Sequence, residues 1–248
     1  MSQSLSRALR LLVELGRQPC SLDDAARVLD VHKSTALRLL RTLEEDRFVY
    51  RDPSFRYHLG SQFFALATTA LDQRQVRTAA GPHLTALAAA TGQTVHLAGY
   101  EDGHVVYWDK RDAAHTVRMY SRIGLPASPH TAAVAKVLLA DLDEPERRRI
   151  ARAITYTPHT PRTLTGPAEL LAELTAVADR GYAVDHGEHE AFMNCVAAPV
   201  RGPDGKVTAA VSISVPDFVL DYERVLALVP ELLGATRAIS IDCGWSAP

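Results

Sequence analysis

The chain has 248 residues, of which 47% are hydrophobic and 23% are charged, and its formal net charge is −2 at pH 7. This composition excludes a disordered chain, and without a run of about 18 apolar residues the chain is not expected to cross a bilayer. Its three cysteines are widely spaced and do not make a disulfide framework, so a reducing cytoplasm is the expected compartment.

The first fifty residues carry the signals of three helices. A helix that ends at Gly16 is predicted by apolar residues at helical spacing, which are Leu5, Leu9, Leu12 and Val13. Ser21 is followed three residues later by Asp24, the spacing of a capping box, which predicts the start of a second helix. A third helix begins near His32. The segment from Ser21 to Arg47 therefore has the pattern of a helix-turn-helix.

The third helix has two chemically different sides. The side predicted to face a core carries Ala36, Leu39, Leu40 and Leu43. The opposite side carries Ser34, Arg38 and Arg41, flanked by Thr35 and Thr42. Hydroxyl groups at a helix N-terminus suit phosphate oxygens, and arginine can pair with guanine in the major groove. The alternative is a solvated face on which both arginines pair with the acids Glu44 and Glu45.

A wing and a linking helix are predicted next. Asp52-Pro53-Ser54 predicts a turn between two extended segments, and Arg51 and Arg56 bracket it as two cationic tips. From Ser61 to about Arg77 the pattern predicts a helix that links two domains. A further helix is expected from Val76 to Thr91, before Gly92.

The rest of the chain alternates between strand and helix patterns. Helices are expected at about 131–142, around EPERRRIAR, at 167–180 and, as one C-terminal helix, at about 219–241. Strands are expected at 94–100, 105–111, 115–121, 182–185, 195–200 and 207–215, and an Asp-Gly pair predicts a hairpin between the first two. Strands grouped between helices predict an α+β domain with an antiparallel sheet.

Several motifs, in this order and spacing, make the whole chain resemble the IclR family of bacterial transcription regulators. In the N-terminal part they are Ser6-Arg7-Ala8-Leu9, Lys33-Ser34-Thr35 with Arg38-Leu39-Leu40, and Tyr57-x-Leu59-Gly60. In the C-terminal part they are Pro129-His130, Ala135-Lys136, Arg180-Gly181-Tyr182, Cys195-Val196-Ala197-Ala198-Pro199 and Ser212-Ile213-Ser214. Asp30-Val31-His32 departs from the usual Gly-Leu, and Ala135, Gly187 and Phe192 depart from a glycine, a glutamate and a glycine.

The resemblance implies three parts: a winged helix-turn-helix DNA-binding domain at 1–60, a linker helix at 61–76 and a GAF-like or profilin-like effector-binding domain at 77–248. It implies a homodimer or a dimer of dimers on double-stranded operator DNA. The expected DNA contacts are Lys33, Ser34, Thr35, Arg38, Arg41, Thr42, Arg51 and Arg56. The expected effector contacts are the backbone N–H groups of Ala133 and Val134, with the side chains of Asp185, Cys195, Ser212 and Ser214.

The residues themselves support part of this effector site. Ser212 and Ser214 are two positions apart on a predicted strand, so they face the same side, either into a pocket or towards solvent. An apolar wall around the effector could come from Tyr107, Trp108, Met119, Tyr120, Phe192 and Met193, which could equally be core residues. Cys195 could be a small core residue.

Other readings remain open. The segment from Asp185 to Glu190 has metal-capable residue types without the spacing of a specific site, so we expect a solvated loop and no resident metal. His130 is interpreted as structural more than as an effector contact. A second hypothesis is a redox- or metal-sensing regulator on the same scaffold. A third is an enzyme with Cys195 as nucleophile and His130, His186 or His189 as base.

The sequence therefore predicts a cytoplasmic DNA-binding regulator, with a repressor favoured over an activator. Its operator affinity is expected to change when a small molecule, a carboxylate or an aromatic acid, binds in the C-terminal domain. We expect no enzymatic activity, no cofactor and no membrane contact.

Overall fold

The computed structural model describes residues 3–73, 75–113 and 121–246. The chain divides into two compact units, Met1–Gln73 and Arg74–Pro248. The expected strand at 115–121, with Met119 and Tyr120, lies outside the described residues except for its last position. None of the described helices is long and apolar enough to span a membrane.

The N-terminal unit is a three-helix core with a small wing. Its elements are α1 (Gln3–Arg17), α2 (Leu22–Leu29), α3 (Lys33–Glu45), β1 (Val49–Arg51), β2 (Tyr57–Leu59) and α4 (Gln62–Asp72). The strands β1 and β2 are antiparallel, with Tyr50 opposite His58. Fully buried residues from α1 and α3, such as Leu11, Ala36 and Leu40, close the core. The helix predicted to continue to about Arg77 ends instead at Asp72.

The C-terminal unit contains a five-stranded sheet. Its elements are α5 (Gln75–Thr91), β3 (Thr94–Glu101), β4 (His104–Arg111), α6 (Ala133–Ala140), α7 (Glu144–Ala153), α8 (Pro167–Arg180), β5 (Ala183–His186), β6 (Met193–Arg201), β7 (Val207–Pro216), α9 (Tyr222–Leu226) and α10 (Val229–Asp242). The strand order is β4-β3-β7-β6-β5, and every neighbouring pair is antiparallel. The predicted α+β class with an antiparallel sheet is confirmed.

The single C-terminal helix predicted at 219–241 is wrong. Asp221 caps α9 through the backbone N–H of Arg224, and α9 ends at Leu226. A second helix, α10, then starts at Val229 with Pro230 in its first turn. Proline lacks a backbone N–H and suits the first turn of a helix, so its presence favours a new start over continuation.

The two faces of the sheet have different partners. One face packs against α5 and α10 through an apolar cluster that includes Val95, Leu97, Val196, Val211 and Ile213. The other face lies against α6, and α8 packs behind α6. On this second face many of the side chains are small or polar, among them Ala98, Ala197 and Ser212, which leaves room for a cavity between the sheet and the start of α6.

Candidate functional site

The helix-turn-helix is fixed by caps on both of its main helices. The Asp24 backbone N–H donates to Ser21 Oγ at 3.2 Å and the Ser21 N–H donates to Asp24 Oδ2 at 3.1 Å, so the predicted capping box is confirmed. After α2, Asp30 adopts the left-handed conformation with φ of 51°. It therefore takes the backbone shape that a glycine would take there. His32 Nδ1 then accepts the Ser34 N–H and caps α3.

These caps present a polar side of α3 to the exterior of the N-terminal unit. Ser34, Arg38, Arg41 and Thr42 are exposed, Thr35 is half-buried, and Ala36 and Leu40 on the other side are fully buried. Neither arginine forms an ion pair with a carboxylate among the described residues. The alternative of pairing with the nearby acids is therefore not realised. Lys33 differs, because its Nζ lies 2.7 Å from Asp23 Oδ1.

The wing has one outward and one inward arginine. The Arg51 guanidinium lies over the Phe55 ring, 5.1 Å from its centroid. The Arg56 guanidinium instead donates to the Pro19 carbonyl and ties the wing to the turn before α2. The Asp52 carboxylate organises the tip by accepting the backbone N–H groups of Ser54 and Arg56, each at 2.9 Å. The Arg56 N–H bond, together with hydrogen bonds from the side chains of His58 and Ser54, holds the pKa of that carboxyl well below its usual range.

A cavity of about 560 Å³ lies between the sheet and the start of α6. All six expected effector positions line it: Ala133, Val134, Asp185, Cys195, Ser212 and Ser214. The strand register explains why they meet, since Asp185 pairs with Cys195 and Cys195 pairs with Ser214 across three neighbouring strands. Directly paired residues share a face of a sheet, so three distant segments form one polar row.

The start of α6 forms the opposite side of the cavity. The backbone N–H groups of Ala133 and Val134 bond to no acceptor among the described residues, as expected for a first helical turn. Such groups, with the positive end of the helix dipole, favour an anion. The apolar lining comes from Tyr107, Leu125, Pro126, Ala127 and Met193.

Two of the expected wall residues lie elsewhere. Trp108 packs against the apolar cluster on the far face of the sheet, and its Nε1 donates to Glu101 Oε1 at 2.6 Å. Phe192 is 44% exposed and stacks with Phe218 outside the cavity. Both follow from position: Trp108 is one residue beyond Tyr107 on β4 and so has the opposite orientation, and Phe192 precedes β6.

A buried ion pair supports the acidic end of the row. Lys136 Nζ lies 2.6 and 2.7 Å from the two carboxylate oxygens of Glu188, and it also donates to the Val184 carbonyl at 2.8 Å. The Glu188 N–H donates to Asp185 Oδ1 at 2.7 Å. Burial raises the pKa of Asp185 to about 7, although this N–H bond and the charge of Lys136 oppose that change.

The sequence analysis missed His96, a pocket residue of β3. Its Nε2 lies 2.6 Å from Ser121 Oγ, and its Nδ1 lies 3.4 Å from Ser212 Oγ and 3.5 Å from Ser214 Oγ. Burial lowers the pKa of His96 to about 3, so the ring is neutral. The sequence does contain a signal for His96, because Thr94 and His96 alternate along β3 with apolar residues that are buried.

The histidines after β5 do not assemble a metal site with their neighbours. Within the described part of the chain, no three His, Cys, Asp or Glu side chains are placed to share a metal ion. His189 lines the cavity and bonds Thr131 Oγ1 at 3.2 Å, whereas His130 bonds the Thr157 carbonyl at 3.3 Å outside it. Burial raises the pKa of the Cys195 thiol, which keeps it protonated and argues against a nucleophile or a redox sensor.

Comparisons with known proteins agree along the whole chain. The IclR helix-turn-helix domain matches residues 4–53, and the bacterial transcriptional regulator IclR C-terminal domain matches residues 68–241. The chain is 32% identical to the HTH-type transcriptional regulator KdgR of Escherichia coli K12 over 98% of this chain and 93% of that protein. It is 30% identical to the HTH-type transcriptional repressor AllR of the same strain over 99% of this chain and 92% of that protein.

A solved structure shares the fold. It is an IclR homolog from Microbacterium hydrocarbonoxydans complexed with 4-hydroxybenzoate, with a TM-score of 0.85, 23% sequence identity, and coverage of 97% of this chain and 98% of that one.

Proposed function

The chain belongs to the IclR family of bacterial transcriptional regulators, and on that premise we propose that it is a cytoplasmic repressor whose affinity for operator DNA changes when a small acid binds. Residues 1–60 would bind double-stranded operator DNA, 61–76 would link, and 77–248 would bind the effector. The observation that carries the DNA-binding part is the exposed side of α3, where Arg38 and Arg41 have no carboxylate partner among the described residues.

The outward side of α3 suits the major groove. Ser34 and Thr35 lie in its first turn, where hydroxyl and N–H groups can contact phosphate oxygens. Arg38 and Arg41 follow on the same side and can reach base edges. Lys33, Thr42, Arg51 and Arg56 would add backbone contacts, although the guanidinium of Arg56 must first leave the Pro19 carbonyl or act through its charge alone.

A second copy of the chain is the expected partner of the N-terminal unit. Leu5, Leu9 and Val13 on α1 are 61%, 55% and 62% exposed, and their spacing places them on one side of the helix. An apolar stripe of this kind is typical of a surface that another chain covers. A homodimer, or a dimer of dimers, would recognise a palindromic operator.

The effector would bind in the cavity of the C-terminal unit. Its carboxylate would accept from the Ala133 and Val134 N–H groups, and its remainder would contact Asp185, Cys195, Ser212 and Ser214. The effector changes repression only if it has unequal affinity for the DNA-competent and DNA-incompetent arrangements of the protein.

Operator binding by matched arginine variants tests the DNA-binding part. Duplexes enriched by the wild-type protein from a random pool serve as the operator, and affinity is measured by fluorescence anisotropy. Arg38→Ala is expected to weaken binding by about 1–3 kcal/mol, because a base contact is lost. Arg152→Ala removes the same charge from an exposed position of α7 and should have little effect. A protein that enriches no duplex, or an Arg38→Ala variant with wild-type affinity, would refute the assignment.

A further inference from the structure

The tip of the wing carries a large apolar side chain in an unfavourable backbone conformation. Phe55 lies between β1 and β2, is 68% exposed, and has a φ of 60°. Bulky residues rarely adopt a positive φ, and glycine or asparagine is the usual residue there. Because the ring is not buried and does not favour the turn, the stability of the fold does not account for it.

The Phe55 ring lies against a cation. The Arg51 guanidinium carbon is 5.1 Å from the ring centroid, within the roughly 6 Å over which the face of an aromatic ring attracts a cation. Arg51 is exposed, and in the parts of the chain that the structure describes no carboxylate forms an ion pair with it. The neighbouring acid Asp52 has other partners, since its Oδ2 lies 2.8 Å from His58 Nε2. The charge of Arg51 is therefore available to an external anion.

The turn that carries Phe55 is held by several hydrogen bonds. Asp52 Oδ1 accepts the backbone N–H groups of Ser54 and Arg56, each at 2.9 Å, and the Ser54 hydroxyl at 2.7 Å. The Phe55 N–H donates to the Asp52 carbonyl at 3.0 Å. These bonds fix the backbone of Phe55, so its ring presents one face to the guanidinium in a defined direction. A long side chain loses rotamer freedom when it binds, and a residue that orients it beforehand reduces this cost.

We propose, as a refinement that rests on the proposed function, that Phe55 is a positioning residue for DNA binding. Its ring holds the Arg51 guanidinium in the orientation in which it contacts a phosphate of the operator backbone. Phe55 acts through Arg51 and does not itself contact the DNA. The competing role for an exposed apolar side chain is a wedge between base pairs, which would act without Arg51.

A double-mutant cycle on the full-length protein separates these two roles. Affinity for the duplexes enriched by the wild type is measured by fluorescence anisotropy at several salt concentrations. Phe55→Leu removes the ring but keeps an apolar side chain, and it should weaken binding by about twofold to tenfold because Arg51 is no longer oriented. In an Arg51→Ala background, Phe55→Leu should have no further effect, because the group that Phe55 orients is gone.

The salt dependence and two control variants distinguish positioning from general damage to the wing. Arg51→Ala should reduce the slope of log affinity against log salt concentration by about 0.9, since one phosphate contact is lost. Phe55→Leu should leave that slope near its wild-type value, because the charge remains. Phe55→Tyr keeps the aromatic face and should keep wild-type affinity. Tyr50→Leu removes another exposed wing aromatic, which stacks on His58, and its effect should be the same with and without Arg51.

Contrary results are equally definite. Wild-type affinity of Phe55→Leu or of Arg51→Ala would overturn the proposal, and so would a loss in Phe55→Tyr as large as that in Phe55→Leu. An equal effect of Phe55→Leu in both backgrounds would assign the ring to direct DNA contact instead. If Phe55→Leu does not fold, Phe55→Gly carries the same cycle, because glycine adopts a φ of 60° without strain. A wild type that enriches no duplex overturns the proposed function itself, whereas the other outcomes overturn only the role of Phe55.

Discussion

Replacing Lys136 by methionine should strongly destabilise the C-terminal unit. The lysine side chain is 1% exposed and that of its partner Glu188 is 9% exposed, so almost no solvent screens this pair. Methionine keeps the length and apolar stem of lysine but removes the charge and three hydrogen bonds. Breaking a buried ion pair from one side typically costs about 3–5 kcal/mol, because the other charge stays buried without a partner.

The double variant separates the cost of an orphaned charge from the value of the pair. Lys136→Met with Glu188→Leu removes both charges and keeps the volume, and replacing a whole buried pair by apolar residues is often nearly neutral. The double variant should therefore recover most of the free energy of unfolding that Lys136→Met loses. The single variant should also be less destabilised at pH 5 than at pH 8. Burial raises the pKa of Glu188, and Lys136 opposes that rise, so the carboxyl that loses Lys136 costs least when it is protonated.

Urea unfolding followed by tryptophan fluorescence reports the stability of the C-terminal unit. The chain has two tryptophans, and both Trp108 and Trp245 belong to the C-terminal unit. A single variant with the wild-type urea midpoint would refute the reasoning, since it would mean that the buried carboxylate needs no partner. A double variant as unstable as the single one would refute it too, since it would assign the loss to packing and not to charge.

Two further changes have definite expected directions. Asp185→Asn should make the C-terminal unit more stable than the wild type at pH 8. In the wild type the pKa of Asp185 is raised to about 7. The stability that its protonated carboxyl contributes below the ordinary pKa near 4 is therefore lost as the pH rises through 7, and asparagine does not ionise. Urea midpoints at pH 5 and pH 8 check this, and a wild-type midpoint that rises with pH would contradict it. Ser21→Ala should cost the N-terminal unit about 1 kcal/mol because it removes the cap of α2; unchanged hydrogen-exchange protection of the α2 amides would show that the cap is dispensable.

The helix-turn-helix was predictable because its signals are local. The cap of α2 depends on residues three apart, and the two sides of α3 follow from helical periodicity over a dozen residues. The left-handed Asp30 was the uncertain point, since glycine is usual there. Aspartate is one of the few other residues that adopt this conformation readily, so the turn keeps its geometry despite the substitution.

The cavity was predictable only in part, because its floor is built by distant pairings. Alternation predicts that Ser212 and Ser214 share a face, and both line the cavity. Alternation does not predict that β3 pairs with β7, which places His96 opposite Ser212, 116 residues away in sequence. Strand order is set by the packing of both faces of the sheet, and no local sequence pattern predicts it.

The sequence around Lys136 also predicts that this lysine is buried. It lies in a helix whose other residues are all apolar, and such a helix is expected to be buried on every side. A lysine in that setting requires a buried partner, and the acids after β5 were the candidates. The pair that results has a consequence for function as well as for stability. Through the Val184 carbonyl and Glu188, Lys136 fastens α6 to β5, so the helix whose first turn would bind the effector is held to the strand that carries Asp185. Loosening this attachment should therefore weaken acid binding even in a variant that remains folded.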